Sequence, residues 1–433
     1  MSMPDLGHLK RLSAVRSNAG VKFLTPSAFP GSHCPLHTAI ALAGNIKGLS
    51  SLVAGTPECA TYSRVVLPNV NDRQGDLHWT YVLDDSEVVF GCRKGLMDAL
   101  QKMDQAGAKA VLLVATCVPD LIGEDIEGIV REVQPKLSAR IISVMMGHFK
   151  CNSLPSGSWK TLKAIGSLME TKDVRPRVVN VMGRSPEERH TPLPPILCAL
   201  KRQGFFLRCL APGSSLEDFL EAPDAALNLV LSPFMDPLAA EMEQSFGTPA
   251  FRLHNAYDPS EIDTLHRAIT KALRIQWENG FDCGRLEALS LQEQAKNRLT
   301  GLRYASAHIG PLKVLPLAAY LAAIGMEPLL LHLEEFWPDD RSWAEALKAR
   351  GYDPPVCHMV NSDSDAPLLE SLSPDLCLGD LPGAAIRFPS VPYLSELYGL
   401  SGYERTNSLL KKLLHALDEP AASRERRTPY GIA

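Results

Sequence analysis

The sequence predicts an α/β protein built from three similar units with mostly parallel sheets, and three observations predict it. Short apolar runs closed by turn residues alternate with stretches of helical apolar spacing from one end to the other. The alternation restarts after a polar segment at 170–177 and again at 302–310. The 433 residues also exceed what one hydrophobic core serves. The expected domains are 1–172, 173–297 and 298–433.

Taken in order, 51–54 and 110–115 are continuous apolar runs, which suits parallel strands covered on both faces. Between them Leu96, Met97, Leu100 and Met103 recur at helical spacing and place a helix over 92–105. After Cys117, the carboxylates of Glu124, Asp125 and Glu127 mark the first turn of a further helix, where the dipole favours negative charge. The next strand is 141–146. The second unit opens with a strand and glycine turn at 178–183. It continues with a helix over 195–202, a strand near 205–210 and the apolar run 227–231, which stops at Ser232 and Pro233. In the third unit a strand within 302–310 is followed by an apolar helix over 314–324 and a strand at 328–332. The last helix, about 403–417, gathers Leu409, Leu410, Leu413 and Leu414 on one face. Beyond Asp418 the tail is polar and basic and is expected to fray.

Charge and composition exclude several partners. With 44 basic and 49 acidic residues the net charge is -5, and no long run of one sign occurs, so nucleic acid is not an expected partner. The first 25 residues lack a signal-peptide core, and no apolar run reaches the roughly 18 residues that a membrane span needs. A cytoplasmic protein with no membrane partner is expected. Ten cysteines at irregular spacing do not form a disulfide framework in a reducing compartment, which leaves thiols available to metal.

Three of those cysteines share a setting. Cys34 lies in Ser32-His-Cys-Pro-Leu-His, Cys59 in Gly55-Thr-Pro-Glu-Cys-Ala-Thr-Tyr and Cys117 in Ala115-Thr-Cys-Val-Pro-Asp-Leu-Ile-Gly-Glu-Asp. Each falls where a strand gives way to a turn, the end of an α/β sheet at which ligands bind. Thiolates are the usual ligands of iron–sulfur clusters. Cys198, Cys209, Cys283, Cys357 and Cys377 fall within helix or strand patterns and read as ordinary core or surface residues. Cys92 and Cys151 stand between the two groups.

These elements, in this order, resemble component 1 of nitrogenase and its nitrogenase-like relatives, and the resemblance covers nearly the whole chain. Val88-Val-Phe-Gly is similar to that family's Val-Phe-Gly-Gly turn, with Cys92 in place of the second glycine. Glu124 replaces the first of a pair of aspartates, and Arg298-Leu-Thr-Gly-Leu-Arg is similar to the start of the third domain. The resemblance implies three Rossmann-like, flavodoxin-like domains. It also implies that Cys34, Cys59 and Cys117 hold an iron–sulfur cluster shared with a partner subunit, either 8Fe-7S of the P-cluster type or 4Fe-4S. His148 and Cys151 lie where β-type chains place a serine ligand, and both are candidate accessory metal ligands. The implied partners are an α-type subunit in an α2β2 heterotetramer and an ATP-dependent iron protein that donates electrons.

Two departures from the family pattern assign the chain within it. Ser232 stands where the α-type chain has the cysteine that anchors its catalytic cofactor, and Ser401 stands near its anchoring histidine. A neutral hydroxyl is a poor ligand for a soft iron cluster. The expectation is therefore a β-type, electron-relay subunit of a nitrogenase-like oxidoreductase, with no catalytic residue of its own. The methylthio-alkane reductase branch, which cleaves carbon–sulfur bonds, is the favoured one. The alternatives are a cofactor-assembly scaffold, another nitrogenase- or tetrapyrrole-reductase-type component 1 subunit, and a structural or regulatory chain without iron. His37 is a candidate hydrogen-bond donor to a cluster, and His308 either faces a ligand crevice or satisfies loop backbone. No complete dinucleotide or Walker pattern follows Gly55, Gly183 or Gly310, so nucleotide binding by this chain is not expected.

Overall fold

The computed structural model describes residues 6–25, 34–66, 76–147, 154–183, 192–277, 281–310, 312–381, 388–391, 394 and 397–418. In chain order, β1 (Lys10–Arg11) and β2 (Lys22–Phe23) precede α1 (Pro35–Asn45), β3 (Ser50–Gly55), α2 (Pro57–Val66), β4 (His78–Val82), α3 (Asp85–Phe90) and α4 (Arg93–Gln105). Next come β5 (Ala110–Ala115), α5 (Cys117–Leu121), α6 (Ile126–Val133), β6 (Arg140–Met145) and α7 (Leu154–Gly166). The middle region runs β7 (Arg175–Met182), α8 (Pro195–Arg202), β8 (Phe206–Leu210), α9 (Leu216–Glu221), β9 (Ala225–Val230), α10 (Asp236–Phe246) and β10 (Ala250–Arg252). Two long helices, α11 (Pro259–Leu273) and α12 (Asp282–Leu299), lead to β11 (Arg303–Ser306), α13 (Val314–Ala323), β12 (Glu327–His332) and α14 (Asp340–Ala349). The chain continues through β13 (Pro355–His358), α15 (Ser362–Ser371), β14 (Leu376–Leu378), β15 (Ser390–Val391) and α16 (Tyr403–Asp418).

The first sheet has the order β4-β3-β5-β6, all parallel. Every residue of β3 and β5 is buried, as the apolar runs require of central strands covered on both sides. Successive side chains point to opposite faces. Val53, Leu112 and Val114 join the core under α1 and α7, while Leu52, Val111 and Leu113 join the one under α4 and α6. The chain leaves β3 to one side for β4 and returns to its other side for β5. That reversal creates a crevice beyond the C-terminal ends of β3 and β5.

The second sheet, β10-β9-β7-β8, is held by parallel pairing of β7 with β8 and β9. Inside it Asn180 donates to Asn228 Oδ1 and to the Ala222 carbonyl, both at 2.8 Å. The third sheet has the order β1-β13-β12-β11-β14-β15, with β2 also on β13. Its core is built from α13, apolar on every side because it is covered on every side, and from α16.

The chain forms two compact units. One comprises Gly31–Arg189 and Gly204–Phe251 and holds the first two sheets; the other comprises Met1–Pro30, His190–Gln203 and Arg252–Ala433 and holds the third. The N-terminal segment, expected within 1–172, instead hydrogen-bonds to β13: Lys10 pairs with Val356 and Lys22 with Cys357. Strand β7 also begins at Arg175, inside the polar segment expected to be a linker, because Arg175 still reaches Ala225 by backbone pairing although its side chain is exposed. No helix among the described residues is long and apolar enough to cross a membrane.

Candidate functional site

Cys59 and Cys117 follow the two neighbouring strands whose ends form the crevice of the first sheet. Cys59 lies in the first turn of α2, and Cys117 is the first residue of α5. Cys34 precedes α1 as its N-cap, where Pro35 starts the helix without needing an amide hydrogen. All three thiols are partly exposed, so each keeps an open side.

Close packing brings the two strand ends together. A Cβ on Gly55 would lie 2.2 Å from Thr116 Oγ1 and 3.2 Å from Cys59 Sγ, so the approach needs glycine. Thr116 Oγ1 donates to the Ala54 carbonyl at 2.9 Å, and Thr56 Oγ1 donates to Cys59 Sγ at 3.7 Å. On the other flank, α7 lies so near α1 that a Cβ on Gly157 would be 3.1 Å from the Pro35 carbonyl oxygen.

Cys34 senses the other two sulfurs. Burial raises the Cys34 thiol above its ordinary value, the Leu36 amide opposes that, and the negative charge of Cys117 and then Cys59 raises it further. Repulsion of this kind acts only over short distances, so Cys117 and Cys59 lie near Cys34. A cation or a cationic cluster relieves it. Among the described residues no three His, Cys, Asp or Glu side chains are close enough to enclose a single metal ion. His37, one turn into α1, is kept neutral by burial, which lowers its imidazole.

His148 and Cys151 lie outside the described residues. At the edge of that segment a Cβ on Gly147 would be 2.1 Å from Asp120 Oδ2, which sets the α5 carboxylate against the end of β6. Cys92 is 1% exposed, and burial, then Glu124, push its thiol up to about 12. Cys357 and Cys377 are buried within strands of the third sheet, and Cys209 and Cys283 are exposed. His308 Nε2 contacts the Met359 carbonyl at 2.8 Å, the backbone role rather than a ligand role. His358 Nδ1 does the same with the Leu333 carbonyl at 2.5 Å. Ser232 Oγ accepts from the Phe234 amide at 3.4 Å and caps a short turn. Ser401 is 2% exposed.

One contact was not legible in the sequence. Glu124, seven residues after Cys117, accepts a hydrogen bond from the Cys92 amide at 2.6 Å. Nearby, Val89, Phe90 and Leu121 are 71%, 87% and 66% exposed, which is unusual for large apolar side chains and leaves an apolar corner beside the cysteine loop.

The chain is similar to several known proteins. Residues 34–418 match the family described as nitrogenase component 1 type oxidoreductase. The chain is 23% identical over 316 residues to the nitrogenase iron-molybdenum cofactor biosynthesis protein NifE of Clostridium pasteurianum, covering 69% of this chain and 68% of that one. It is 26% identical over 189 residues to a light-independent protochlorophyllide reductase chain of a Nostoc species, covering 39% and 36%. A solved structure of nitrogenase Cp1 at pH 6.5 superposes with a TM-score of 0.70 at 16% identity, over 92% of this chain and 95% of that one, and has the same α/β fold. The family match begins at Cys34 and ends with α16, taking in all three thiols and every strand from β3 to β15, and on that ground the chain belongs to the nitrogenase component 1 type oxidoreductases.

Proposed function

We propose that this chain is the β-type subunit of a nitrogenase-like reductase and that Cys34, Cys59 and Cys117 supply its share of the ligands to an iron–sulfur cluster held jointly with an α-type subunit. What supports this reading is the placement of Cys59 and Cys117 just past the neighbouring ends of β3 and β5, with Cys34 capping α1 near enough to feel their charge. Thiolates are the ligands that such a cluster takes, and their partial exposure leaves room for a second set from a partner. A bound cluster, 8Fe-7S of the P-cluster type or 4Fe-4S, would supply one-electron relay between an ATP-dependent iron protein and a catalytic cofactor in the α-type chain. This chain's residues bind and orient: Thr56 donates toward Cys59, and Gly55 keeps the Cys59 and Cys117 loops in contact. Serines at 232 and 401, in place of soft ligands, support leaving the catalytic cofactor to the partner. Within the family we favour an α2β2 methylthio-alkane reductase.

A second reading, a cofactor-assembly scaffold, is favoured by similarity to a cofactor biosynthesis protein over 69% of this chain. Iron and acid-labile sulfide per heterodimer, after anaerobic co-expression with the adjacent α-type gene, separate the readings when Cys59→Ala is compared with wild type. Loss of about one cluster's iron together with loss of thioether reduction is expected of the relay subunit. Iron loss without any wild-type turnover points to the scaffold, and unchanged iron removes Cys59 from the ligand set.

A further inference from the structure

Glu124 joins two parts of the first sheet that the chain otherwise separates by 32 residues. Its carboxylate accepts from the Cys92 amide at 2.6 Å, and the Cys92 thiol also donates to it. Gly91 is shaped for this contact: its φ is +90°, and a Cβ there would be 2.9 Å from Glu124 Oε2. On the Cys92 side, the Gly91 amide donates to the Glu87 carbonyl, and the Glu87 carboxylate accepts from Tyr81 and from the Asp84 amide at 3.1 Å. Gly95 leaves the space that the Tyr81 and Glu87 pair occupies. On the Cys117 side, the Glu124 amide donates to the Pro119 carbonyl at 3.0 Å, two residues past the thiol. A continuous line of hydrogen bonds therefore runs from β4 through the corner between α3 and α4 to the five-residue helix that carries Cys117.

The contact matters because the residues between that helix and Glu124 are open to solvent. Leu121, Ile122 and Gly123 are exposed, and Gly123 turns the chain at φ +74°. Cys92 and Glu124 are also two of the positions at which the sequence departs from the motifs it resembles, and they touch each other. Aspartate, one methylene shorter, would not span the same gap from the same backbone position.

We propose that Glu124 is a positioning residue for Cys117: by anchoring the end of the α5 loop to the Cys92 amide it fixes the orientation of that thiol toward the cluster. This rests on the cluster reading above. The test uses the anaerobically co-expressed complex carrying Glu124→Ala, Glu124→Gln or Cys59→Ala. Amide exchange at Cys92 should become at least ~10-fold faster in Glu124→Ala, as expected for loss of one hydrogen bond. That variant should bind iron but show a shifted midpoint potential and an altered electron paramagnetic resonance signature. Glu124→Gln keeps a carbonyl acceptor for the Cys92 amide and should restore exchange, potential and signature toward wild type. A wild-type potential and signature in Glu124→Ala, or a Gln variant as altered as the Ala variant, overturns the proposal. If Cys59→Ala keeps all its iron, the cluster reading itself fails, and that failure is visible independently of either Glu124 variant.

Discussion

At Asp224 two effects oppose each other. Burial alone would raise its carboxyl, but hydrogen bonds and charge from Arg208, followed by Arg175, outweigh burial and hold it below the ordinary range. Arg208 reaches it through Nη1 at 2.7 Å and Nη2 at 3.1 Å, and both side chains are buried. Because the folded value is depressed, the stabilisation is present above the unfolded carboxyl value of about 3.9 and is lost as pH falls through the lower folded value. Acid unfolding followed by circular dichroism should show Asp224→Asn less stable at neutral pH by about 3–5 kcal/mol, with a shallower loss toward acid. His266 behaves likewise from the basic side. Burial among Trp277, Phe281 and Tyr403 lowers its imidazole to about 4, so it is neutral when folded. Its contribution is complete above the unfolded value of about 6.5 and fades as pH falls from there toward 4. A His266→Gln variant, followed in the same acid titration, should lose this part of the pH dependence.

Among the elements, the junction of β3 with α2 is the most demanding. Gly55→Ala would drive a methyl group into Thr116 and Cys59, and we expect about 1–3 kcal/mol of destabilisation together with reduced iron per heterodimer. Thermal melts and iron analysis on one preparation check both. Strands β3 and β5 and helices α4, α13 and α16 were legible from the sequence because their apolar period is unbroken and their burial follows it. Strand β4 was not, since its residues are only half-covered at the edge of the sheet and carry no apolar run. Strands β1 and β2, two residues each, exist only because β13 offers them a partner, which no local pattern records. The same holds at the site. Cys59 and Cys117 do follow strand ends, as expected, while Cys34 caps α1 with no described strand running into it; the Glu124 contact with Cys92 depends on where two distant turns meet. Arg405, fully buried in α16, is another such tertiary feature: it donates to the Leu400 carbonyl at 2.9 Å and the His254 carbonyl at 2.8 Å. Its planar fork is not reproduced by lysine.

For the molecule as a whole, Val88, Val89, Phe90 and Leu121 leave large apolar side chains open to solvent. Expressed alone, the chain should self-associate, and Phe90→Asp should raise its solubility without lowering its melting temperature, because an 87% exposed side chain contributes little to folding. Static light scattering against concentration checks this; equal association in both forms would place the sticky surface elsewhere. The pairing of the N-terminal strands with β13 has a temporal meaning as well. Ser13 donates to Asp353 across 340 positions, so this contact forms only when nearly the whole chain has left the ribosome. The unit bearing the thiols ends at Phe251 and can close much earlier. The crevice with its three cysteines therefore matures first on the nascent chain, while the opening segment, with Leu12 and Val15 still uncovered, waits for its sheet to be translated.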